Sequence, residues 1–411
     1  MFFRAINLSS TYGELPANNR GESCFNLCQT RLINMTESNT AETLSRGTQL
    51  DFLPRSRQMR ERHNPRKSPV DYWHAPAVIA ENHFVYKSLS NWSFNVAVGC
   101  SHACRFCYVP SAATIKQGPK LAEYGVKDPD AEWGDYVLLR PWDEQKFLAS
   151  LRSAENTPRK QLKPDGNRAV IFCSTTDPYQ VIRHPYPARQ RELAAHARLL
   201  VRRSLELIRD HSTINVRILT RSPLARADFD LFQSFGKRLV FGMSLPTLRN
   251  DLAKVYEPKA PAPSQRLAAL RAAKEAGLHV YVAMAPTYPE CDEDDLRATL
   301  KAVAELEPIT VFHEPINIRA ENVMRIEEQA TETGVHLRTE VFRSRESWQN
   351  YAVNALHTVS ELAKELGIEK RLHLWPDKSL GSQTLADRMP NPARFLKRLQ
   401  HWWHRVSEWP G

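Results

Sequence analysis

The chain has 411 residues, 42% hydrophobic and 25% charged, enough for a barrel-sized globular domain with extensions. No run of eighteen apolar residues occurs, so no membrane insertion is expected, and seven scattered cysteines exclude a disulfide framework. An excess of 56 Lys and Arg over 46 Asp and Glu gives a net charge of +10 and a pI near 9.3, which suits polyanionic partners such as nucleic acid and equally a diffuse surplus of solvated arginines.

The opening MFFRAINLSSTYGE lacks the basic and apolar regions of a secretory signal, so a cytoplasmic, reducing location is expected. Residues 1–70 are rich in Asn, Ser, Thr, Arg and Glu without sustained periodicity, and read as a largely disordered basic segment. Within it Cys24 and Cys28 read as free thiols, and Met35 as an alternative start. Arg55–Lys67 reads as a basic linker able to touch phosphates. The aromatic stretch Asp71–Trp92, with Tyr72, Trp73, Phe84, Tyr86 and Trp92, reads as packed on a barrel edge before the first strand.

An apolar run, Phe94–Gly99, then leads into G-C-S-H-A-C-R-F-C-Y-V-P, Gly99–Pro110. Cys100, Cys104 and Cys107 stand at C-x₃-C-x₂-C, and thiolates suit iron–sulfur clusters and zinc. Three local thiolates leave one iron of a four-iron cluster open for a ligand. A zinc site would need His102 or a distant residue as its fourth ligand, and the paired C-x₂-C pattern of zinc modules is missing. The spacing, with Phe106 before the last cysteine, resembles the radical S-adenosylmethionine (radical SAM) superfamily. The resemblance implies a [4Fe-4S] cluster on the three cysteines and SAM on its open iron. It also implies an electron donor such as flavodoxin or ferredoxin, and reductive cleavage of SAM to a 5′-deoxyadenosyl radical.

Downstream, short apolar runs alternate with helical stretches, the pattern of parallel βα units. Strands are expected at Phe94–Gly99, Ala169–Cys173, Ile214–Thr220, Arg238–Ser244, His279–Ala285 and Ile309–Glu314. Helices are expected at Glu144–Ala154, Ala188–Arg209, Arg226–Phe235, Ser264–Ala276 and Glu293–Glu305, with Ser264 as N-cap and Gly277 as the C-terminal stop. Six such units match the partial (β/α)₆ barrel of the superfamily, an α/β fold, and polar motifs follow nearly every strand. The division is expected to be 1–70, a barrel over 71–320, and a C-terminal α/β extension over 321–411.

The strand ends read C-S-T-T-D-P-Y-Q (Cys173–Gln180), L-T-R-S-P (Leu219–Pro223), G-M-S-L-P (Gly242–Pro246) with Y-E-P (Tyr256–Pro258), A-P-T-Y-P (Ala285–Pro289) and H-E-P-I-N-I-R (His313–Arg319). Together they resemble the spore photoproduct lyase-like branch over residues 90–350. The resemblance places Arg221 on the SAM carboxylate. Ser174, Thr175, Thr176, Asp177 and Ser244 are candidates for SAM's polar groups, each also at home as a cap or turn residue. Glu257 reads either as a ligand or as a loop support.

Two departures set the chain apart from the lyase. That enzyme's hydrogen-donating cysteine lies three residues before the aspartate, where this chain has Ser174, and Cys173 is one place off. A one-residue shift in a strand reverses the face. The lyase's two tyrosines around the third cysteine are here Phe106 and Tyr108, so only Tyr108 keeps a phenol. Tyr108 and Cys173 are the catalytic candidates, and repair of the spore lesion is not expected.

Beyond Arg319 the expected elements are a helix Glu321–Thr333, a strand His336–Val341, a helix Glu346–Leu366 and a basic aromatic helix Arg394–Trp409 that docks its tryptophans. Arg343, Arg345, Trp348 and Tyr351 read either as the site entrance or as solvated face and core. Three functions fit the whole: a radical SAM enzyme on nucleic acid, one on a small molecule or peptide, and a zinc-stabilised nucleic-acid-binding module.

Overall fold

A computed structural model describes residues 68–82 and 89–411. The readings on residues 1–67, and on Phe84 and Tyr86, lie outside the described residues. The first described strand opens at Val70.

Eleven strands are described: β1 Val70–Tyr72, β2 Ile79–Glu81, β3 Trp92–Phe94, β4 Ala97–Gly99, β5 Val137–Leu139, β6 Ala169–Phe172, β7 Asn215–Thr220, β8 Leu239–Ser244, β9 His279–Thr287, β10 Thr310–Pro315 and β11 Leu372–Leu374. Eight form one sheet in the order β11-β10-β9-β8-β7-β6-β3-β2. Strands β3 and β6–β10 run parallel, side by side in chain order, as in a partial barrel; β6–β10 are expected strands, whereas β3 shares only Phe94 with the strand expected at Phe94–Gly99. The extension adds β11 in parallel beside β10, and β2 runs antiparallel on the opposite edge.

Period-two alternation sorts the side chains of these strands. Val216, Ile218, Phe241, Met243, Val280, Val282 and Val311 join the main core under the helices. Val240, Tyr281 and Phe312 pack together on the other face, with Leu219 against them. Arg217 lies in that second cluster, its guanidinium 4.9 Å from the Tyr281 ring and 5.1 Å from Trp409. The same alternation puts Arg221, Ser244 and Glu314 on the lumen side, at the C-terminal ends of their strands.

Phe94–Gly99 is two strands, not one. Strand β3 ends at Phe94, and β4 pairs antiparallel with β5 in a separate sheet, β1-β5-β4. The break is at Asn95, whose side chain leaves the ladder. Its Oδ1 accepts from the N–H groups of Ser174 and Thr175 at 3.0 Å, and its Nδ2 donates to Ser174 Oγ at 3.2 Å. Val98 then packs with Trp73, Tyr124 and Tyr136 in a satellite core. An uninterrupted apolar run carries no mark of which sheet takes each half.

The helices Glu144–Glu155, Pro187–His211 and Glu293–Ala304 fall within two residues of expectation. Arg226–Phe235 is instead a 3₁₀ turn, Pro223–Asp228, followed by a short α-helix, Phe229–Gln233. The next helix is Pro263–Glu275, and Ala262 rather than Ser264 is its N-cap. Proline at the first position needs no N–H partner, and Gln265 Oε1 accepts from Ala262 N at 3.1 Å. Gly277 follows with φ +74°, as its stop role requires.

In the extension the helices are Asn322–Thr333 and Arg345–Glu365. The strand expected at His336–Val341 is not formed; a 3₁₀ turn spans Thr339–Phe342. Glu290 Oε1 accepts from Arg338 N at 2.6 Å, so this backbone is satisfied without a ladder, and β11 takes the sheet edge. The terminal helix is Pro392–His404, shorter than expected. Trp403 donates to Pro376 O at 2.8 Å, and Trp409, past the helix, donates to Lys237 O at 2.8 Å.

Candidate active site

The cysteine loop leaves β4 at Gly99, whose φ is +89°; a Cβ there would lie 2.2 Å from Tyr136 O, so only glycine fits. The loop is tied down on three sides. Toward β6, Thr176 Oγ1 donates to Gly99 O at 2.6 Å, and Gln180 Oε1 accepts from Ser101 N at 2.7 Å. Gln180 Nε2 in turn donates to Thr176 Oγ1 at 2.8 Å. Toward the Y-E-P turn, Arg105 N donates to Tyr256 O at 2.9 Å and Lys259 N to His102 O at 3.3 Å. Toward the extension, Arg325 Nε donates to Arg105 O at 3.1 Å, and Asn322 Nδ2 to Phe106 O at 3.3 Å. Arg325 also donates to Cys107 O and pairs with Asp130.

Cys100 and Cys104 are buried and Cys107 is half-buried. Burial pushes all three thiols up, Cys104 to about 12, and each lies in the field of at least one other. Arg221 opposes the rise at Cys104 and Cys107. A bound cation would reverse the rise altogether, because thiolates are the ligating form.

Asp177 is 5% exposed and fully engaged with the protein. Its Oδ1 accepts from Tyr179 N at 2.8 Å and Thr220 Oγ1 at 2.7 Å. Its Oδ2 accepts from Arg221 N at 2.8 Å and stands 3.1 Å from His102 Nε2. Burial alone would raise this carboxyl; His102 and the donors outweigh it and hold it at about 2. Asp177 thus fixes the β6, β7 and cysteine loops to one another.

Arg221, over the mouth, donates from Nε to Glu257 Oε1 at 2.5 Å, and its guanidinium lies 5.6 Å from the centre of the Phe106 ring. Among the described residues its Nη groups have no protein partner, and its side chain keeps 19% exposure. Glu257 is wholly buried between Arg221 and Arg266, whose Nη2 is 2.5 Å from Glu257 Oε2. Burial opposes ionisation of Glu257, but the two arginines prevail and lower it. Arg266 also donates to Ser244 O at 3.2 Å. Tyr288, from A-P-T-Y-P, stacks on Tyr256 at 4.0 Å and lies 5.9 Å from Phe106. Its buried hydroxyl has no partner among the described residues.

The remaining candidates divide. Ser174 and Thr175 sit at the mouth under Asn95, and the Tyr108 hydroxyl is 3.5 Å from Ser174 O. Burial, then Cys107 and Glu314, raise the Tyr108 phenol. Cys173 is 6% exposed and belongs to the main core. Trp348 and Tyr351 brace the strand ends: Trp348 donates to Ile316 O at 3.0 Å and Tyr351 to Thr287 O at 2.6 Å. Arg343 and Arg345 are exposed. Sequence reasoning missed Asn95, Arg266 and the Asn322–Arg325 pair, and no local motif marks them. Gln180, Tyr288 and Glu314 stood inside motifs whose other residues took the attention.

A model of the radical SAM superfamily matches residues 94–303, half of the chain, from the end of β3 into the helix after β9. The chain belongs to the radical SAM superfamily. An uncharacterised protein of Acidianus two-tailed virus is 34% identical over 255 residues, 60% of this radical SAM chain and 74% of that protein. An uncharacterised protein of Methanocaldococcus jannaschii is 22% identical, over 68% of this chain and 89% of that one. Among solved structures, a variant of spore photoproduct lyase superposes with a TM-score of 0.53 at 13% identity, covering 84% of this chain and 93% of its own. This radical SAM chain therefore shares the lyase's fold. Among the described residues no helix is long and apolar enough to cross a membrane.

Proposed function

We propose that the chain is a radical SAM enzyme in which Cys100, Cys104 and Cys107 hold a [4Fe-4S] cluster and Arg221 receives SAM. When bound, cluster and SAM supply a 5′-deoxyadenosyl radical for hydrogen abstraction from a substrate at the barrel mouth. The observation that carries this reading is Arg221: a guanidinium pinned through Nε by Glu257, its Nη groups without a protein partner among the described residues, in the field of Cys104. That geometry presents paired donors to a carboxylate. Two buried thiols and one half-buried, close enough to act on one another and raised by burial, suit a cationic cluster.

Ser244 and the Tyr288 hydroxyl face the same lumen and complete the polar lining for SAM. Thr176 and Asp177 act as positioning residues, since their polar atoms are engaged with the protein. Phe106 supports Arg221. Tyr108 is the redox-capable group nearest the third cysteine, and Cys173, in the main core, is not the hydrogen donor. The reaction is thus not spore photoproduct repair. A nucleic-acid substrate accords with the net charge of +10, and a small molecule or peptide is the second class. A low-potential donor such as flavodoxin or ferredoxin in a cytoplasmic setting would supply the electron.

Anaerobic reconstitution tests the reading. Four irons and four sulfides per chain, lost with Cys100→Ala, Cys104→Ala or Cys107→Ala, and 5′-deoxyadenosine released with dithionite and SAM are expected. One zinc and no iron after that treatment would refute it. Binding of DNA or RNA that weakens steeply with salt supports the nucleic-acid substrate; its absence points to the small-molecule class.

A further inference from the structure

The helix Asn322–Thr333 carries two stripes. Val323, Ile326 and Ala330 enter the main core. Asn322, Arg325 and Gln329, at the i, i+3, i+7 spacing of one helix flank, are also buried, and all three are polar. Each meets the cysteine loop. Asn322 Nδ2 donates to Phe106 O, Arg325 to the carbonyls of Arg105 and Cys107, and Gln329 Oε1 accepts from Arg105 Nε at 2.7 Å. Three successive carbonyls of the loop are thus capped by one helix that lies outside the stretch matched by the superfamily model.

Neutral donors such as Asn322 would suffice to hold a loop. Arg325 instead brings a cation to 3% exposure, which burial opposes, with Asp130 as its counter-ion and Ser111 donating to Asp130. The guanidinium that donates to Cys107 O stands against the third cysteine, and a buried cation there favours negative charge on its sulfur.

We propose that Arg325 is a positioning residue that also tunes electron uptake: it locks Arg105–Cys107 and makes the thiolate-bound site easier to reduce, with Asp130 as the opposing charge. The proposal rests on the cluster reading above. One electron arrives from an external one-electron reductant, and no bond or proton moves; the added negative charge sits in the field of Arg325. Hydrogen bonding, net charge and burial around the sulfurs are what set such potentials.

The test is a dithionite titration, followed by electron paramagnetic resonance, of the full chain reconstituted anaerobically. Arg325→Gln should make the reduced form about tenfold scarcer at a fixed potential, a midpoint about 59 mV lower for one electron. Arg325→Lys, which keeps the charge, should stay near wild type. Asp130→Asn, which removes the opposing charge, should move the midpoint upward. Opposite shifts do not arise from a loosened fold. Unchanged midpoints in Arg325→Gln and Asp130→Asn, or shifts in the same direction, overturn the proposal. If Arg325→Gln loses its iron, Asp130→Asn decides alone, and an unchanged midpoint overturns it. A wild-type chain that takes up no iron fails the cluster reading instead, a result seen before any titration.

Discussion

Replacing Asp177 with Asn removes one charge and little volume from the point where three loops meet. The wild-type carboxyl stands at about 2 against an ordinary 3.8. At about 1.36 kcal/mol per tenfold in proton affinity, this corresponds to about 2.5 kcal/mol of folding stability at neutral pH. The hydrogen bonds give a similar figure. The Asn amide would face Arg221 N–H, and a stranded buried donor costs about 1–3 kcal/mol. Because the folded-state value is depressed, the stability is present above pH 3.8 and is lost as pH falls through about 2; about half of it remains near pH 3. Urea unfolding of the metal-free chain, followed by tryptophan fluorescence, reads the gap between wild type and Asp177→Asn. A gap of about 2–3 kcal/mol at pH 7 that narrows on acidification is expected. A gap below about 0.5 kcal/mol, or one that does not narrow as the pH falls to 3, would refute the claim that Asp177 is ionised and bonded in the fold.

Arg221→Ala should weaken SAM binding about 10- to 150-fold, from the loss of about 1.5–3 kcal/mol in charge-assisted bonds, with iron content unchanged. Equilibrium dialysis with labelled SAM checks it. Glu257→Gln leaves Arg221 and Arg266 facing a neutral amide, and should destabilise the fold by about 3–5 kcal/mol, seen as a lower urea midpoint. The neighbours His313 and Glu314 pull stability in opposite directions with pH. Burial holds Glu314 up at about 7, so its share falls as pH rises from 4.5 to 7; burial holds His313 down at about 4, so its share rises from pH 4 to 6.5. Glu314→Gln should therefore expose a rise of up to about 3 kcal/mol between pH 4 and 6.5 that the wild type nearly cancels. On DNA carrying the spore photoproduct, chromatography should find no repaired thymine, and multiple-turnover repair lost in Cys173→Ala would overturn the exclusion of Cys173 as donor.

Two kinds of information in the sequence proved sufficient by themselves. Local spacing is one: three cysteines within eight residues must share a neighbourhood, whatever the rest of the chain does. Periodicity is the other, since buried parallel strands must be apolar on both faces. Ala169–Phe172, Asn215–Thr220 and Leu239–Ser244 were therefore legible to within a residue or so. Polar residues at the strand ends then marked the mouth, and Arg221 among them.

Tertiary structure decided how those residues are used. Asp177 and Thr176 sit in a motif that suggests ligand binding, yet their oxygens are consumed by His102, Thr220, Arg221, Gly99 and Gln180, partners 43 or more residues away for all but Gln180. Glu257 could not be assigned because its meaning lies in Arg221 and Arg266, which approach it from either side. The split of Phe94–Gly99 depends on Asn95 finding the β6 loop, 79 residues on. Arg325, 218 residues from the Cys107 carbonyl it caps, looks in the sequence like an ordinary basic residue on an amphipathic helix. Hydrogen-bond partners are chosen by distance in space, and a linear pattern records only the neighbours a few residues along a strand or a helical turn.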